Sequence, residues 1–473
     1  MLADKCLVLA ANGRLNLKKR PQITQIYADF FKKDIICVNL RDLREKIHKI
    51  HSDEVGVLNF YHHSLLVMRT PFFILTIFLC INLGAKTIQV APGTSIQQAI
   101  DRAIAGDTVL VRTGTYYQYG IKINKSLTLL GQGKPLIDAG GQGEILTISA
   151  DKVVVKGFRF QRTGRTSITD WAAVKVLSAQ YVQVLDNHIS QSYFGIYFSN
   201  ADHCTARNNT IEGKPSEEQN TGNGIHAWKC NHLTFSDNTI KGHRDGIYLE
   251  FVTESHMQRN FCLSNIRYGL HFMFSHNNTY SYNRFRENGA GVAVMYTRNV
   301  VMLHNHFEQN WGSAAYGLLL KDISDSKIEH NTFDNNTTGI YMEGSSRIHL
   351  ANNTLQNNGW ALRIQANCSD NVFEKNNFLA NTFDVATNGG TVLNRFSNNY
   401  WDQYAGYDLD RNGVGDVPYH PVSLYAMIVE RIPAGLMFLH SFVVRLIEES
   451  EKIFPSLTPS ELKDSSPLLK PIK

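Results

Sequence analysis

A repeat of about 22 residues constrains this chain more than any other feature. Asparagines opening an Asn-x-hydrophobic segment stand at Asn187, Asn209, Asn238, Asn260, Asn283, Asn305, Asn331, Asn353, Asn376 and Asn398, spaced by 22, 29, 22, 23, 22, 26, 22, 23 and 22 residues. A second marker, Gly before an apolar-x-apolar triplet, keeps the same beat at Gly195, Gly224, Gly246, Gly269, Gly291, Gly317 and Gly339. Two independent markers in phase exclude chance repetition. A unit this short cannot enclose a core alone, so each must bury its apolar face against the next. The alternation in Gly-Ile-Tyr-Phe and its copies calls for strands. The expectation is an all-β fold, a right-handed single-stranded parallel β-helix with about 22 residues per coil. Asn suits one turn of each coil, because it tolerates left-handed backbone and hydrogen-bonds its equivalent one coil away.

Both ends of such a stack are open β-edges that need covers. Thr94, Ser95, Ile96, Ala99 and Ile100 read as a capped amphipathic helix, followed by a first strand at Thr108 to Val111. This opening resembles that of pectin-lyase-like β-helices. The solenoid and its front cap are expected over 86–416, and a C-terminal cap with a helical tail over 417–473. Seven extra residues in the coil holding Glu212 to Gly222, and four in the coil holding Gln309 to Tyr316, mark protrusions able to carry partner contacts.

Upstream, Arg69, the apolar run Phe72 to Leu83 and the small residues Gly84 and Ala85 form a secretory signal-peptide pattern, expected over 68–85. Residues 1–67 then read as an upstream leader or a mis-assigned start, with Met68 as the natural beginning. Residues 1–85 hold 12 Lys and Arg against 7 Asp and Glu, so of the chain's 47 and 42 the rest keeps 35 of each. A neutral main body lacks the positive excess that phosphate backbones select, which argues against nucleic acid as a partner. Cys204, Cys230, Cys262 and Cys368 show no CxxC or zinc spacing. Cys262 falls at an inward position, and the other three either pair or stay free.

After each marker glycine, the first and third residues are apolar and inward, so the second and fourth face outward. The second-position column runs Tyr197, His226, Tyr248, His271, Ala293, Leu319, Tyr341; the fourth runs Ser199, Trp228, Glu250, Met273, Met295, Lys321, Glu343. Met273 and Met295 therefore become neighbours on adjacent coils, and His271 shares a strand with Met273. Two thioethers and an imidazole on one exposed patch suit copper(I). The same methionines also suit gap-filling beneath a loop. His276 is either a fourth ligand or a turn residue. His226 belongs to a Tyr/His surface, and His304, His306 and His330 fall at the Asn turn, where a polar residue needs no special role.

Asp408, Asp410, Asn412 and Asp416 occupy positions one, three, five and nine of a calcium-loop pattern with Gly413 at its sharp turn, but position twelve is Tyr419. Without the bidentate Glu, a weak calcium site and a plain polar turn both fit. Sugar hydrolysis needs paired carboxylates at one bond. Asp245 and Glu250 are the nearest outward candidates and lack a partner set, so the chain reads as a binding protein and not an enzyme. A carbohydrate-binding or polysaccharide-degrading β-helix is the alternative, since Tyr and Trp also stack on sugars.

The stretch from Tyr268 (Tyr-Gly-Leu-His-Phe-Met-Phe-Ser-His-Asn-Asn) through Gly291-Val-Ala-Val-Met-Tyr, Gly317-Leu-Leu-Leu-Lys-Asp and Gly339-Ile-Tyr-Met-Glu-Gly-Ser resembles the NosD family. Asn399-Tyr-Trp-Asp and the Asp408 to Tyr419 block resemble that family's C-terminal cap. The resemblance spans roughly 86–473. It implies a periplasmic protein that takes copper from a chaperone and works with an ABC-type membrane complex to assemble the copper centres of nitrous oxide reductase, with or without a sulfur species. Carried over, the copper site rests on His271, Met273 and Met295. The resemblance also implies a C-terminal contact with the transporter at the inner membrane. The segment from Leu436 to Phe454 has helical apolar spacing that supports docking through Leu436, Phe438, Phe442 and Leu446, and equally fits a helix packed on the last coil. Its charges make it unfit to span a bilayer.

Overall fold

The computed structural model describes residues 85–472 except 167, 215–217, 313–314, 390–392, 455–457 and 459–461. The leader expected over 1–67 and nearly all of the signal peptide lie outside the described residues.

The chain from Thr87 to Trp401 winds into a parallel β-solenoid of about 13 turns with about 23 residues each. Three parallel sheets of 14, 12 and 13 strands run along it. In most coils a six-residue strand in the 12-stranded sheet is followed by a three-residue strand in each of the others. The short strands bury their middle residue, as in Arg284–Arg286 and His306–Glu308. Equivalent inward residues then stack coil on coil: Phe285, Phe307 and Phe333 have ring centroids 5.4 and 4.5 Å apart. This column is the core that one repeat could not form alone.

The asparagines form a buried hydrogen-bonded ladder. Asn305 Nδ2 donates to Asn331 Oδ1 at 3.0 Å, and the Asn331 amide repeats the contact to Asn353 at 3.0 Å. Two corrections follow. The left-handed position belongs to the residue before each ladder asparagine, such as Asn208 (φ 54°), Asp237 (φ 57°) and His304 (φ 52°). The last rung is accordingly Asn399, which accepts from Asn376 Nδ2 at 3.0 Å, while Asn398 takes the turn at φ 55°. The marker glycines serve close approach: a Cβ on Gly269 would lie 2.6 Å from the Gly291 carbonyl oxygen.

Helix α1 (Ile96–Arg102) covers the front edge; Ser95 Oγ accepts from Gln98 N, and Ile96, Ala99 and Ile100 are buried. At the other end, α2 (Leu424–Arg431) packs against Phe383, and Glu430 holds Arg363 of the 12-stranded sheet through two hydrogen bonds of 2.9 and 2.7 Å. The expected helix from Leu436 to Phe454 is interrupted. A 3-10 turn spans Pro433–Phe438, and α3 (Phe442–Ile453) restarts where Ser441 Oγ accepts from Val444 N. Residues 462–472 then return to the last coil, where Asp464 Oδ2 accepts from Asn399 N, Asn399 Nδ2 and Trp401 Nε1 at 3.0, 2.9 and 3.1 Å. A carboxylate thus closes the asparagine ladder. Among the described residues the four cysteines, Cys204, Cys230, Cys262 and Cys368, are free and buried. Burial pushes the Cys204 thiol up to about 11 and Cys230 to about 12.

Candidate functional site

The outer face of the 12-stranded sheet carries the columns expected from alternation. Tyr197, His226, Tyr248, His271, Ala293, Leu319 and Tyr341 pair in register, as do Ser199, Trp228, Glu250, Met273, Met295, Lys321 and Glu343. Met273 and Met295 are direct neighbours on adjacent strands, both half-buried. Parallel strands lie about 4.8 Å apart, which places the two thioethers within reach of one small ion.

His271 is not on the open surface. Its side chain is 2% exposed, with its ring edge-on to Tyr248 and Tyr268 at centroid distances of 4.9 and 4.8 Å. Rings continue up the column from Tyr248 to His226, and His226 stacks on Tyr197 at 4.6 Å. Tyr248 on one neighbouring strand and Tyr268 on the same strand close over an imidazole that sequence alternation alone would leave outside; the register neighbour on the other strand is Ala293. His271 Nδ1 lies 3.5 Å from Asp245 Oδ2, an ion-pair distance without hydrogen-bond geometry, and neither ring nitrogen makes a hydrogen bond. Such orphaned buried groups are rare and destabilising by about 1–3 kcal/mol each. His226 differs. Its Nδ1 meets Asn223 Nδ2 at 3.0 Å, and burial pushes its pKa down to about 3.

His276 is half-buried beyond the strand, and its Nδ1 accepts the Arg298 backbone N–H at 3.3 Å. That bond leaves Nε2 as the nitrogen facing away, and burial beside Arg298 lowers the imidazole pKa. His304 and His330 are exposed and stack at 5.0 Å in line with Tyr282, while His306 is half-buried near Glu308.

An exposed aromatic strip beside the methionines had not been expected. Phe251, Phe274 and Tyr296 follow Glu250, Met273 and Met295, take φ values of 54°, 51° and 53°, and stack at 5.3 and 5.1 Å. Each remains at least 40% exposed. The signal was an aromatic at the fifth position after glycine in three successive coils. Alternation could not show it, because the left-handed turn resets the direction of the side chain.

In the acidic loop, Asp408 accepts from Asn412 N and Gly413 N at 3.1 and 2.9 Å, and Asp416 accepts from Leu409 N at 2.6 Å. Asp410 Oδ2 takes the Asn412 side-chain amide at 2.9 Å. Those backbone donors hold Asp408 below the ordinary carboxylate range. Tyr419, at position twelve, packs on Trp401 instead of pointing into the loop. These hydrogen bonds brace the turn. In the tail, Leu436, Phe438, Phe442 and Leu446 are 37, 54, 73 and 51% exposed, so these apolar residues face away from the last coil. Among the described residues no helix is long and apolar enough to cross a membrane.

A family model described as "Periplasmic copper-binding protein (NosD)" matches residues 100–260 and 208–407. Two relatives named "Probable ABC transporter binding protein NosD", from Stutzerimonas stutzeri and Pseudomonas aeruginosa, are each 26% identical over 376 and 373 residues. The alignments cover 75% of this chain and 85% and 86% of theirs. Among solved structures, the catalytic domain of a GH87 alpha-1,3-glucanase in complex with nigerose aligns at TM-score 0.53 and 13% identity, over 68% of this chain and 70% of that one. This likeness is one of fold.

Proposed function

The chain belongs to the NosD family of periplasmic copper-binding proteins, and from that premise we propose that it carries copper(I) for assembly of the copper centres of nitrous oxide reductase. It receives the ion from a chaperone and works with an ABC-type complex at the inner membrane. The observation that carries this reading is the Met273–Met295 pair, two thioethers in register on the outer face of the 12-stranded sheet, between Glu250 and Lys321 and beside the Phe251–Phe274–Tyr296 strip. Thioether sulfur selects copper(I) over hard cations. An incomplete pair at the surface holds cargo without locking it in.

His271 supports the reading through its burial. Two buried nitrogens without a hydrogen bond, beside the buried Asp245 carboxylate, are a local instability that a soft metal would relieve, and His271 shares the Met273 strand two residues away. For His271 to ligate, the Tyr248 and Tyr268 rings must yield, so copper loading is coupled to movement of those rings. His276 offers Nε2 at the edge of the same patch. The exposed Leu436, Phe438, Phe442 and Leu446 supply an apolar face for the membrane complex. On the polysaccharide reading Asp245 would have to reach a sugar, yet it is 0% exposed beside Arg244 and His271. Its burial favours cargo binding over glycosidic chemistry.

The test is anaerobic copper(I) titration of the full chain against a competing chelator, with Met273→Leu and Met295→Leu combined and β-structure checked by circular dichroism. Stoichiometric binding that weakens by at least about tenfold in the folded variant, the low end for disturbing a metal's surroundings, is expected. Equal affinity in both proteins sinks the assignment of copper to this pair.

A further inference from the structure

Seven residues before the rung Asn209, and at the analogous place one coil on before Asn238, the turn between the 12- and 14-stranded sheets holds a different set of donors. Asp202 and Asn231 bridge there in register, followed by His203 and His232. Asp202 Oδ1 lies 3.0 Å from His203 Nδ1 and 2.8 Å from His232 Nδ1. The two imidazoles stack at 4.3 Å with 20° between their planes, and the Tyr181 ring braces His203 at 5.1 Å. Among the described residues this is the only group of three His, Cys, Asp or Glu whose ligand atoms all lie within 4.8 Å of one another. The comparable His304–His330 stack has no such carboxylate.

We propose that Asp202, His203 and His232 form a second metal site, for a borderline divalent cation with Cu2+ preferred over Zn2+. The donor chemistry decides the class. Two imidazole nitrogens and one carboxylate oxygen suit Cu2+, Ni2+ and Zn2+, and copper stands highest among them in intrinsic affinity. Geometry decides feasibility. Metal–ligand bonds of about 2.0–2.1 Å at the right angles of a tetragonal Cu2+ set place neighbouring donor atoms about 2.9 Å apart. The spacings of 3.0 and 2.8 Å from Asp202 to the two imidazoles already lie in that range, whereas the tetrahedral set of Zn2+ needs about 3.3 Å.

The site is built to exchange its ion. The three side chains are 30, 43 and 48% exposed, so a remaining coordination position faces solvent. The histidines occupy left-handed turns at φ 52° and 51°, fixed by the rigid stack, so the imidazole pair exists before any metal arrives. The coil of His232 and the coil of Met273 are two steps apart, about 10 Å along the axis. A nitrogen and oxygen site for the divalent ion thus lies on the same solenoid as a thioether site for the monovalent one. This inference does not depend on the methionine assignment.

The test is Cu2+ titration of the full chain followed by electron paramagnetic resonance, using the ion alone. His203→Asn with His232→Asn is the informative variant, because Asn accepts left-handed backbone; Met273→Leu with Met295→Leu is the control. One tight equivalent carrying the signature of two imidazole nitrogens is expected in the wild type and the methionine variant. The histidine variant should lose affinity by more than about a hundredfold, since even outer-shell changes give 10- to 100-fold. It should keep its copper(I) affinity if the methionine pair is the copper(I) site. A two-nitrogen equivalent that persists in the folded histidine variant overturns the proposal, as does a wild-type chain with no tight Cu2+ equivalent.

Discussion

Replacing Asp464 by Ala removes the acceptor that ends the asparagine ladder, and the consequences can be worked out group by group. Asp464 is 0% exposed and takes three donors on Oδ2: Asn399 N, Asn399 Nδ2 and Trp401 Nε1. Its Oδ1 also takes Ser466 N at 3.0 Å. The Asn399 amide keeps a second bond, to Phe373 O at 2.9 Å, but the Asn399 backbone N–H and the Trp401 indole are left without partners. Two orphaned buried donors at about 1–3 kcal/mol each, less the relief of no longer burying a carboxylate, give a net loss of about 2–4 kcal/mol. Stability in a solenoid is a sum of nearest-neighbour terms, so the loss falls on the last coils and the returning segment. Hydrogen exchange should therefore quicken by roughly 30- to 1,000-fold at Arg395–Ser397 and Tyr400–Trp401, at about tenfold per 1.4 kcal/mol. The coils around Asn187 and Asn209 should be unchanged. Asp464→Asn, which retains one acceptor oxygen, should lose less. Uniform exchange rates in Asp464→Ala, or equal loss throughout the solenoid, would refute the view that this carboxylate closes the ladder locally.

Two further outcomes follow from the same packing. Gly269→Ala should destabilise the solenoid by about 1–3 kcal/mol in chemical denaturation, because the new methyl meets the Gly291 carbonyl 2.6 Å away and backbone must shift; an unchanged midpoint would show that adjacent coils separate freely there. Asp384 is buried near Asp402, and burial, then that neighbouring charge, raises its pKa from 3.8 to about 7. The folded state then binds the extra proton, so this group's contribution is fully present below about pH 4 and is lost as pH rises through about 7. Asp384→Asn should remove that fall in stability between about pH 4 and about pH 7, and a wild type that instead gains stability over that range through this group would contradict the burial argument.

The copper reading combines a family assignment with a local geometry, and the geometry alters what the family assignment alone suggests. His271 and Met273 do not form an open claw. The methionine pair is half-buried, while the fully buried imidazole lies against Tyr248 and Tyr268 with neither nitrogen hydrogen-bonded. On the proposed reading, an ion would meet sulfur first and nitrogen second. The tail is similarly ordered by contrast: Arg363 and Glu430 anchor α2 to the sheet, and this leaves Phe438 and Phe442 turned outward.

The repeat was legible in the chain because its physics is local and iterated. A short unit with two phased markers has few ways to bury its apolar face, so the solenoid, the register of Met273 with Met295, the Ser95-capped helix and the inward place of Cys262 could all be read from spacing and alternation. Tertiary structure decided whatever depended on neighbours from other coils. Alternation states which way His271 points, but only its packing against Tyr248 on the adjacent strand and Tyr268 on its own determines that it is covered. The asparagine beat marks the turn, yet whether Asn398 or Asn399 forms the last rung was settled by Asp464, which lies 65 residues from Asn399 in sequence. The histidines at 203 and 232 are unremarkable alone and 29 residues apart; coil stacking brings both onto one oxygen of Asp202. A periodic sequence therefore determines direction and register, while burial, pairing and the assembly of donors from different coils arise only when the stack is closed.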